Sequence, residues 1–236
     1  MRSTVPRLSK SALQLYLVFG PQDLPTGQTA IGLIEQAAAG GVTCLQWRDK
    51  TARADTSPGT ETDTGIQQRV AHVRPLQDCA RALGVPFLIN DDVALAKALG
   101  ADGVHLGQDD MPPDQARREL GDKAIIGWSV GTDSERERLR ALLKSDPTVL
   151  DYIGVGPAFP TGTKADAGQA LGPAGIDAVL AGITLPAVAI GGINQENCKM
   201  LRVTNAVGIA VVSAIARHSH PTQATKQLFA KMYGKD

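Results

Sequence analysis

A chain of 236 residues suits one α/β barrel or two small domains, and it is long enough to bury a core without disulfide staples. Its 24 basic and 24 acidic side chains cancel to a formal charge of zero, which excludes the net positive footprint of a nucleic-acid or anionic-membrane binder. Aromatic residues at 4% are too few for a base-stacking platform, and no apolar run approaches the roughly 18 residues of a membrane span.

The first 22 residues hold Arg2, Arg7 and Lys10 but no acid, and an apolar run starts at Leu13. Residues 1–12 are therefore read as a short disordered leader and 13–236 as one folded domain. Along that domain one unit repeats: a short apolar run, a polar or glycine-rich junction, then a helical stretch. The predicted strands cover 13–19, 42–48, 86–90, 103–106, 125–129, 152–155, 186–190 and 208–211. The predicted helices between and after them cover 28–39, 66–83, 93–99, 113–120, 134–143, 174–181, 195–203 and 223–232. Short apolar runs alternating with helices imply βα units and a parallel sheet. Eight units in this length imply α/β architecture closed into a single (β/α)8 TIM barrel. An open doubly wound sheet is the structural alternative, because periodicity does not report closure.

Two junctions are long. Residues 51–65, TARADTSPGTETDTG, lack large apolar side chains and read as a solvated insertion after strand 2. Residues 156–172, GPAFPTGTKADAGQALG, follow strand 6 and read as a flap carrying Thr161, Thr163 and Lys164. Both junctions fall on the C-terminal face, where barrel enzymes keep their chemistry. Cys44, Cys79 and Cys198 are far apart and odd in number, and they have neither metal-ligand spacing nor a disulfide framework. They read as reduced thiols of a cytoplasmic protein.

The chemistry-bearing residues lie at the predicted strand ends. In QWRDK at 46–50, residues two apart point the same way, so Gln46, Arg48 and Lys50 project together. An anion such as diphosphate is a natural partner for such cations, and a rim ion pair with Asp49 is the competing one. NDD at 90–92 and HLGQDD at 105–110 place carboxylates at neighbouring strand ends. Mg2+ takes one or two carboxylates plus phosphate oxygens, and Asp91 with Asp110 supplies that pair. All four acids are also good helix N-caps, and Asp92 and Asp109 are expected to cap or to face solvent.

Ser129, in GWSVG, offers a hydroxyl to a phosphate oxygen. PTGTK at 160–164 sets small hydroxyl residues around a glycine, with Lys164 adding charge, and its glycine spacing is not that of a Walker loop. IGGI at 190–193 and VVSAI at 211–215 follow strands 7 and 8, where glycine amides and a short helix start form the recurrent phosphate site of this architecture. His105 reads as a hydrogen-bonded structural residue. His72, His218 and His220 read as helix-face or terminal residues.

The ordered set QWRDK, ND, HLGQDD, GWS, PTGTK, IGG and VVS, spanning about residues 15–216, resembles the thiamine-phosphate synthase family. The resemblance implies a (β/α)8 barrel that joins 4-amino-2-methyl-5-hydroxymethylpyrimidine diphosphate to a thiazole phosphate, releasing diphosphate. It assigns Gln46, Arg48, Lys50, Asn90, Ser129 and Lys164 to the pyrimidine diphosphate. It assigns Asp91 and Asp110 to Mg2+, and Thr161, Thr163, Gly192, Val212 and Ser213 to the thiazole phosphate. Arg48, Lys50, Lys164 and Ser129 are the implied catalytic set. The runs GQDDMP, IIGWSVG, DYIGVG and FPTGTK look closest to fungal-type proteins, in which this barrel is fused to a hydroxyethylthiazole kinase. A stretch of 236 residues has no room for that second domain. The implied partners are small phosphorylated molecules, with neither nucleic acid nor membrane among them, and a homo-oligomer is compatible with this reading. Residues 51–65 are longer than the family pattern leads one to expect. Gly131 stands where many bacterial members carry a His, and that His is required in the related thiazole tautomerase. Two other readings stay open. A different phosphate-binding barrel enzyme would need a base at the mouth and no Mg2+. A ligand sensor on an old enzyme scaffold would tolerate loss of the metal carboxylates.

Overall fold

The computed structural model describes residues 8–50, 63–162 and 168–234. Eight parallel strands close into a barrel in sequence order: β1 Leu15–Phe19, β2 Cys44–Trp47, β3 Phe87–Asn90, β4 Gly103–Leu106, β5 Ile125–Val130, β6 Tyr152–Val155, β7 Ala187–Ile190 and β8 Gly208–Val211. The ring shuts where Leu15, Tyr16 and Leu17 pair with Ile209, Ala210 and Val211, so the closed alternative holds over the open sheet. Helices α1 Ala30–Gly40, α2 Asp63–Ala82, α3 Val93–Leu99, α4 Pro113–Leu120, α5 Asp133–Ser145, α6 Gly172–Leu180, α7 Ser213–Ala216 and α8 Pro221–Tyr233 pack outside it.

Each strand is buried on both faces, which is why the strands read as continuous apolar runs. Alternate residues divide between two cores. Leu15, Leu17, Phe19, Leu45, Trp47, Phe87 and Ile89 face the helices. Tyr16, Val18, Cys44, Leu88, Ile125, Tyr152, Val188 and Ala210 fill the barrel interior.

The helix ends follow their capping residues. Thr29, Asp92 and Thr132 accept from the first-turn amides of α1, α3 and α5, and Thr132 with Glu135 forms a capping box. Gly41 and Gly100, with φ of 103° and 63°, take the left-handed turn that ends α1 and α3.

Three local expectations change. Residues 8–12 are ordered, unlike the leader assigned to 1–12. Ser9 caps a 3-10 turn over Lys10–Leu13, and Leu8 and Leu13 are buried against the interior cluster at its N-terminal end. Burial of those two leucines offsets part of the entropy of ordering this stretch of chain. Strand 1 starts accordingly at Leu15 and not at 13. The stretch 195–203 contains a 3-10 segment, Cys198–Val203, in place of an α-helix. Asn194 accepts from the amides of Glu196 and Asn197, and Asn197 accepts from Asn194, so side chains take the bonds a first helical turn would need.

Beneath β5 and β6 lies a buried ion pair, Arg117–Asp151, at 2.8 Å. Arg117 also donates to the carbonyls of Gly121, Ala124 and Val149, and Asp151 accepts from the Ile126 amide. The pair ties α4 to the N-terminal face, far from the strand ends that carry chemistry. Among the described residues no helix is long and apolar enough to cross a membrane.

Arg117→Met leaves a buried carboxylate without its cation. It is expected to cost about 3–5 kcal/mol of stability in urea unfolding, while turnover of the folded protein stays unchanged.

Candidate active site

The C-terminal mouth of the barrel collects the described predicted residues from the ends of seven strands, β2 to β8. Gln46 on β2, Asn90 on β3, His105 on β4 and Ser129 on β5 all project inward, with Asn90 registered against His105 and Ser129 against Gly154. Arg48 and Lys50 follow β2, the first half-buried and the second exposed.

The turn that carries these cations is shaped from β1. Gly20 lies so close to it that a Cβ there would sit 2.0 Å from the Arg48 carbonyl oxygen. Gln22 then clamps the turn from both sides, its Nε2 donating to the Arg48 carbonyl at 2.8 Å and its Oε1 accepting from the Lys50 amide at 3.3 Å. The buried carboxylate of Asp23 accepts from Gly20, Gln22 and, at 3.2 Å, Arg217 just past α7. The cation turn after β2 is thus braced to the segment after β8.

Asp91 leaves β3 with φ of 61°, a left-handed conformation that Asp tolerates better than most residues. Its amide donates to the His105 carbonyl at 2.8 Å, and Asn90 Nδ2 grips its carboxylate at 2.6 Å. Backbone strain of this kind concentrates at functional sites. Asp110 folds back over the turn after β4 and accepts from the Gly107 amide at 2.7 Å. Asp92 caps α3 and pairs with Arg69, and Asp109 is exposed, as expected for both. Asp91 and Asp110 therefore stand at the ends of adjacent strands, each with one carboxylate oxygen anchored. Among the described residues no group of three or more His, Cys, Asp or Glu is placed to hold a metal ion. Two anchored carboxylates suit Mg2+ that takes its remaining ligands from phosphate oxygens and water, and do not suit an all-protein cage.

Across the mouth, Gly191 and Gly192 follow β7 with φ of 99° and 66°. A Cβ on Gly192 would lie 2.5 Å from the Pro160 carbonyl oxygen. The flap base is stitched to this turn, since Ala158 and Phe159 donate to the carbonyls of Ile190 and Gly191. The returning strand of the flap is pinned in turn, Leu171 and Gly172 donating to Pro157 and Ala158. Val212 caps α7, whose first amides have no partner within the helix. Ile190 pairs with Ala210, so the glycine turn and the Val212–Ser213 start are neighbours. Thr161 is half-buried at the flap base. Thr163 and Lys164, and residues 51–62 of the expected insertion, lie outside the described residues.

Below the mouth a hydrogen-bonded chain crosses the interior. Gln46 Nε2 donates to Tyr16 Oη at 2.7 Å, and Tyr16 Oη meets Tyr152 Oη at 3.0 Å. Tyr152 Oη meets His105 Nδ1 at 2.8 Å, and His105 Nε2 meets Ser129 Oγ at 2.9 Å. Burial pushes both phenols well above the ordinary tyrosine pKa, so they stay protonated.

A family model described as thiamine monophosphate synthase matches residues 15–215. This chain belongs to that family. It is 42% identical over 212 residues to the thiamine-phosphate synthase of Staphylococcus carnosus, covering 89% of this chain and 92% of the relative. It is 40% identical over 224 residues to that of Histophilus somni, covering 92% and 96%. Among solved structures, thiamine phosphate pyrophosphorylase from Pyrococcus furiosus superposes with a TM-score of 0.74 at 30% identity, covering 94% of this chain and 96% of that one.

In this barrel several groups that shape the site are not evident in the sequence. Tyr16 and Tyr152 sit inside apolar runs, and only the inward side of the strand alternation distinguishes them. Gln22 and Asp23 belong to a GPQD turn without a recognised motif. Gln108 donates to the Ser129 carbonyl at 2.5 Å from within HLGQDD, where the acids draw attention first. A side chain at 131 would begin 2.3 Å from the Gly156 carbonyl oxygen, so the barrel has no space for the tautomerase His.

Gly192→Ala forces a Cβ into the flap-base carbonyls at a positive φ. It is expected to cost about 1–3 kcal/mol in denaturant unfolding.

Proposed function

We propose that the chain works as a thiamine-phosphate synthase, joining 4-amino-2-methyl-5-hydroxymethylpyrimidine diphosphate and 4-methyl-5-(2-phosphooxyethyl)thiazole into thiamine phosphate and diphosphate. The observation that carries this reading is the division of one barrel mouth. Cations and carboxylates occupy β2 to β4, and a paired-glycine turn beside a helix start occupies β7 and β8. Such a mouth suits two phosphorylated small molecules, one of them a diphosphate.

The reaction breaks a C–O bond to diphosphate. The aminopyrimidine stabilises a cation at its methylene carbon, and the thiazole nitrogen captures it. The protein therefore needs no nucleophile of its own. Arg48 and Lys50 stabilise charge on the departing diphosphate, with Lys164 of the flap as a third cation. Ser129 donates to the same group, and Gln46 and Asn90 orient the pyrimidine. Thr161, Thr163, Gly192, Val212 and Ser213 hold the thiazole phosphate, which aligns the two reactants. Asp91 and Asp110 would hold Mg2+, which when bound neutralises part of the diphosphate charge. The flap excludes water that would otherwise trap the cation.

Kinship with fungal-type proteins fused to a kinase rests on the runs GQDDMP, IIGWSVG, DYIGVG and FPTGTK. The two relatives named above are bacterial, and this chain spans 92% and 96% of them. Free Cys44, Cys79 and Cys198 support a reducing, cytoplasmic setting.

Thiamine phosphate is expected to form from the two substrates with Mg2+ and not under excess chelator, measured by product chromatography; no product in either condition sinks the reading. Lys164→Ala is expected to lower kcat about tenfold or more, the effect of losing about 1.4 kcal/mol of transition-state stabilisation. Unchanged turnover in that variant would remove Lys164 from the machinery.

A further inference from the structure

Resting on that reading of the site, we propose that Tyr16, Tyr152 and His105 are positioning residues. Their buried hydrogen-bond chain holds His105 as the Nε2–H tautomer and thereby aims the Ser129 hydroxyl proton at the leaving diphosphate.

The argument starts from proton counting. Five side chains make four contacts from Gln46 to Ser129. Each hydroxyl has one proton and a neutral imidazole has one N–H. With the Gln46 amide nitrogen toward Tyr16, every proton can point the same way. Tyr16 donates to Tyr152, Tyr152 to His105 Nδ1, and His105 Nε2–H to Ser129 Oγ. Ser129 then accepts from inside and its own proton is directed to the ligand. In the opposite polarity Ser129 donates inward, and Tyr16 receives from both Gln46 and Tyr152. The proton of Tyr16 is then left to the Cys44 sulfur, a weak acceptor in an interior that favours strong bonds. A doubly protonated imidazole has the same fault and adds a buried charge. With the Gln46 amide so placed, the first polarity satisfies all four contacts.

The space for this chain is provided by two glycines. A Cβ on Gly127 would lie 2.2 Å from Tyr152 Cζ, and one on Gly154 would lie 3.0 Å from His105 Cε1. Tyr16 and Tyr152 are among the largest fully buried side chains, and their rings meet edge to face with centroids 6.0 Å apart. The hydroxyls are therefore held by packing at fixed positions, as a device that must hold one tautomer requires.

A mere packing role and a positioning role diverge in a double-mutant cycle. Tyr152→Phe keeps the ring and removes one hydroxyl. It is expected to lower kcat about tenfold, as loss of one hydrogen bond made in the transition state does, with KM for both substrates changed by less than about twofold. In a Ser129→Ala background the same substitution is expected to change kcat by less than about twofold, because its effect passes through Ser129. His105→Gln, which keeps a donor toward Ser129, is expected to retain more activity than His105→Leu. Independent effects in the cycle, or equal activities of the Gln and Leu variants, overturn the proposal. If Tyr152→Phe does not fold, Tyr16→Phe takes its place in the cycle.

Imidazole 15N NMR of the ligand-free wild-type protein reads the tautomer without any reaction. A dominant Nε2–H signal for His105 supports the proposal, and a dominant Nδ1–H or imidazolium signal overturns it. A wild-type protein that makes no thiamine phosphate yet shows Nε2–H would instead remove the functional reading and leave the tautomer assignment standing.

Discussion

The constraint on which this structure turns is the need to satisfy polar groups inside a closed barrel. A parallel barrel of eight short strands has an interior that water does not replenish. A hydroxyl left there without a partner costs about 1–3 kcal/mol. This chain places two tyrosines, a histidine and a glutamine in that interior, and links them wall to wall. The link makes the polar layer self-consistent, and its two ends are Gln46 on β2 and Ser129 on β5. The glycines at 127 and 154 follow from the same need, since a larger residue at either would displace the ring that it shelters. The apolar floor of Leu8, Leu13 and Ile125 then seals the layer from below.

Above this layer the mouth is divided electrostatically. One arc carries Arg48 and Lys50 next to Asp91 and Asp110. The other carries left-handed glycines and the start of α7. The two arcs are not independent. Asp23 accepts from Gly20 and Gln22, which hold the Arg48–Lys50 turn, and also from Arg217 beyond α7. The buried carboxylate thus ties the cation turn to the segment after β8. Charge complementarity alone would leave the arcs free to shift, whereas preorganised dipoles and charges need a stiff frame to act in the transition state.

Much of the frame was legible in the sequence because barrel strands are buried on both faces and separated by capped helices. Six strands have the bounds their apolar runs suggest to within a residue at both ends. The N-terminus was misread because Leu8 is a lone apolar residue among polar ones, and its burial depends on a cavity that only closure creates. The 195–203 stretch was misread because Asn194 and Asn197 favour a helix start in composition but bond to each other in place. Charged motifs such as QWRDK and HLGQDD pointed to the mouth because they cluster opposite charges at neighbouring strand ends. Tyr16 and Tyr152 gave no such signal. A tyrosine in an apolar run looks like core, and the partner that makes it polar machinery lies 136 residues away in the chain.

The state of His105 bears on what kind of chemistry the barrel performs. A base at the mouth would need an imidazole nitrogen open to substrate. Here Nδ1 meets Tyr152 and Nε2 meets Ser129, so both nitrogens are turned into the protein's own network. A proton-abstracting isomerase or tautomerase would gain little from this arrangement, and the crowding of Gly131 against Gly156 closes the other position where such a base is required. A reaction that separates a stable anion from a stabilised cation asks instead for fixed donors around the departing charge. Oriented hydroxyls and cations meet that demand, and in the proposed arrangement a histidine serves it best by holding its proton still.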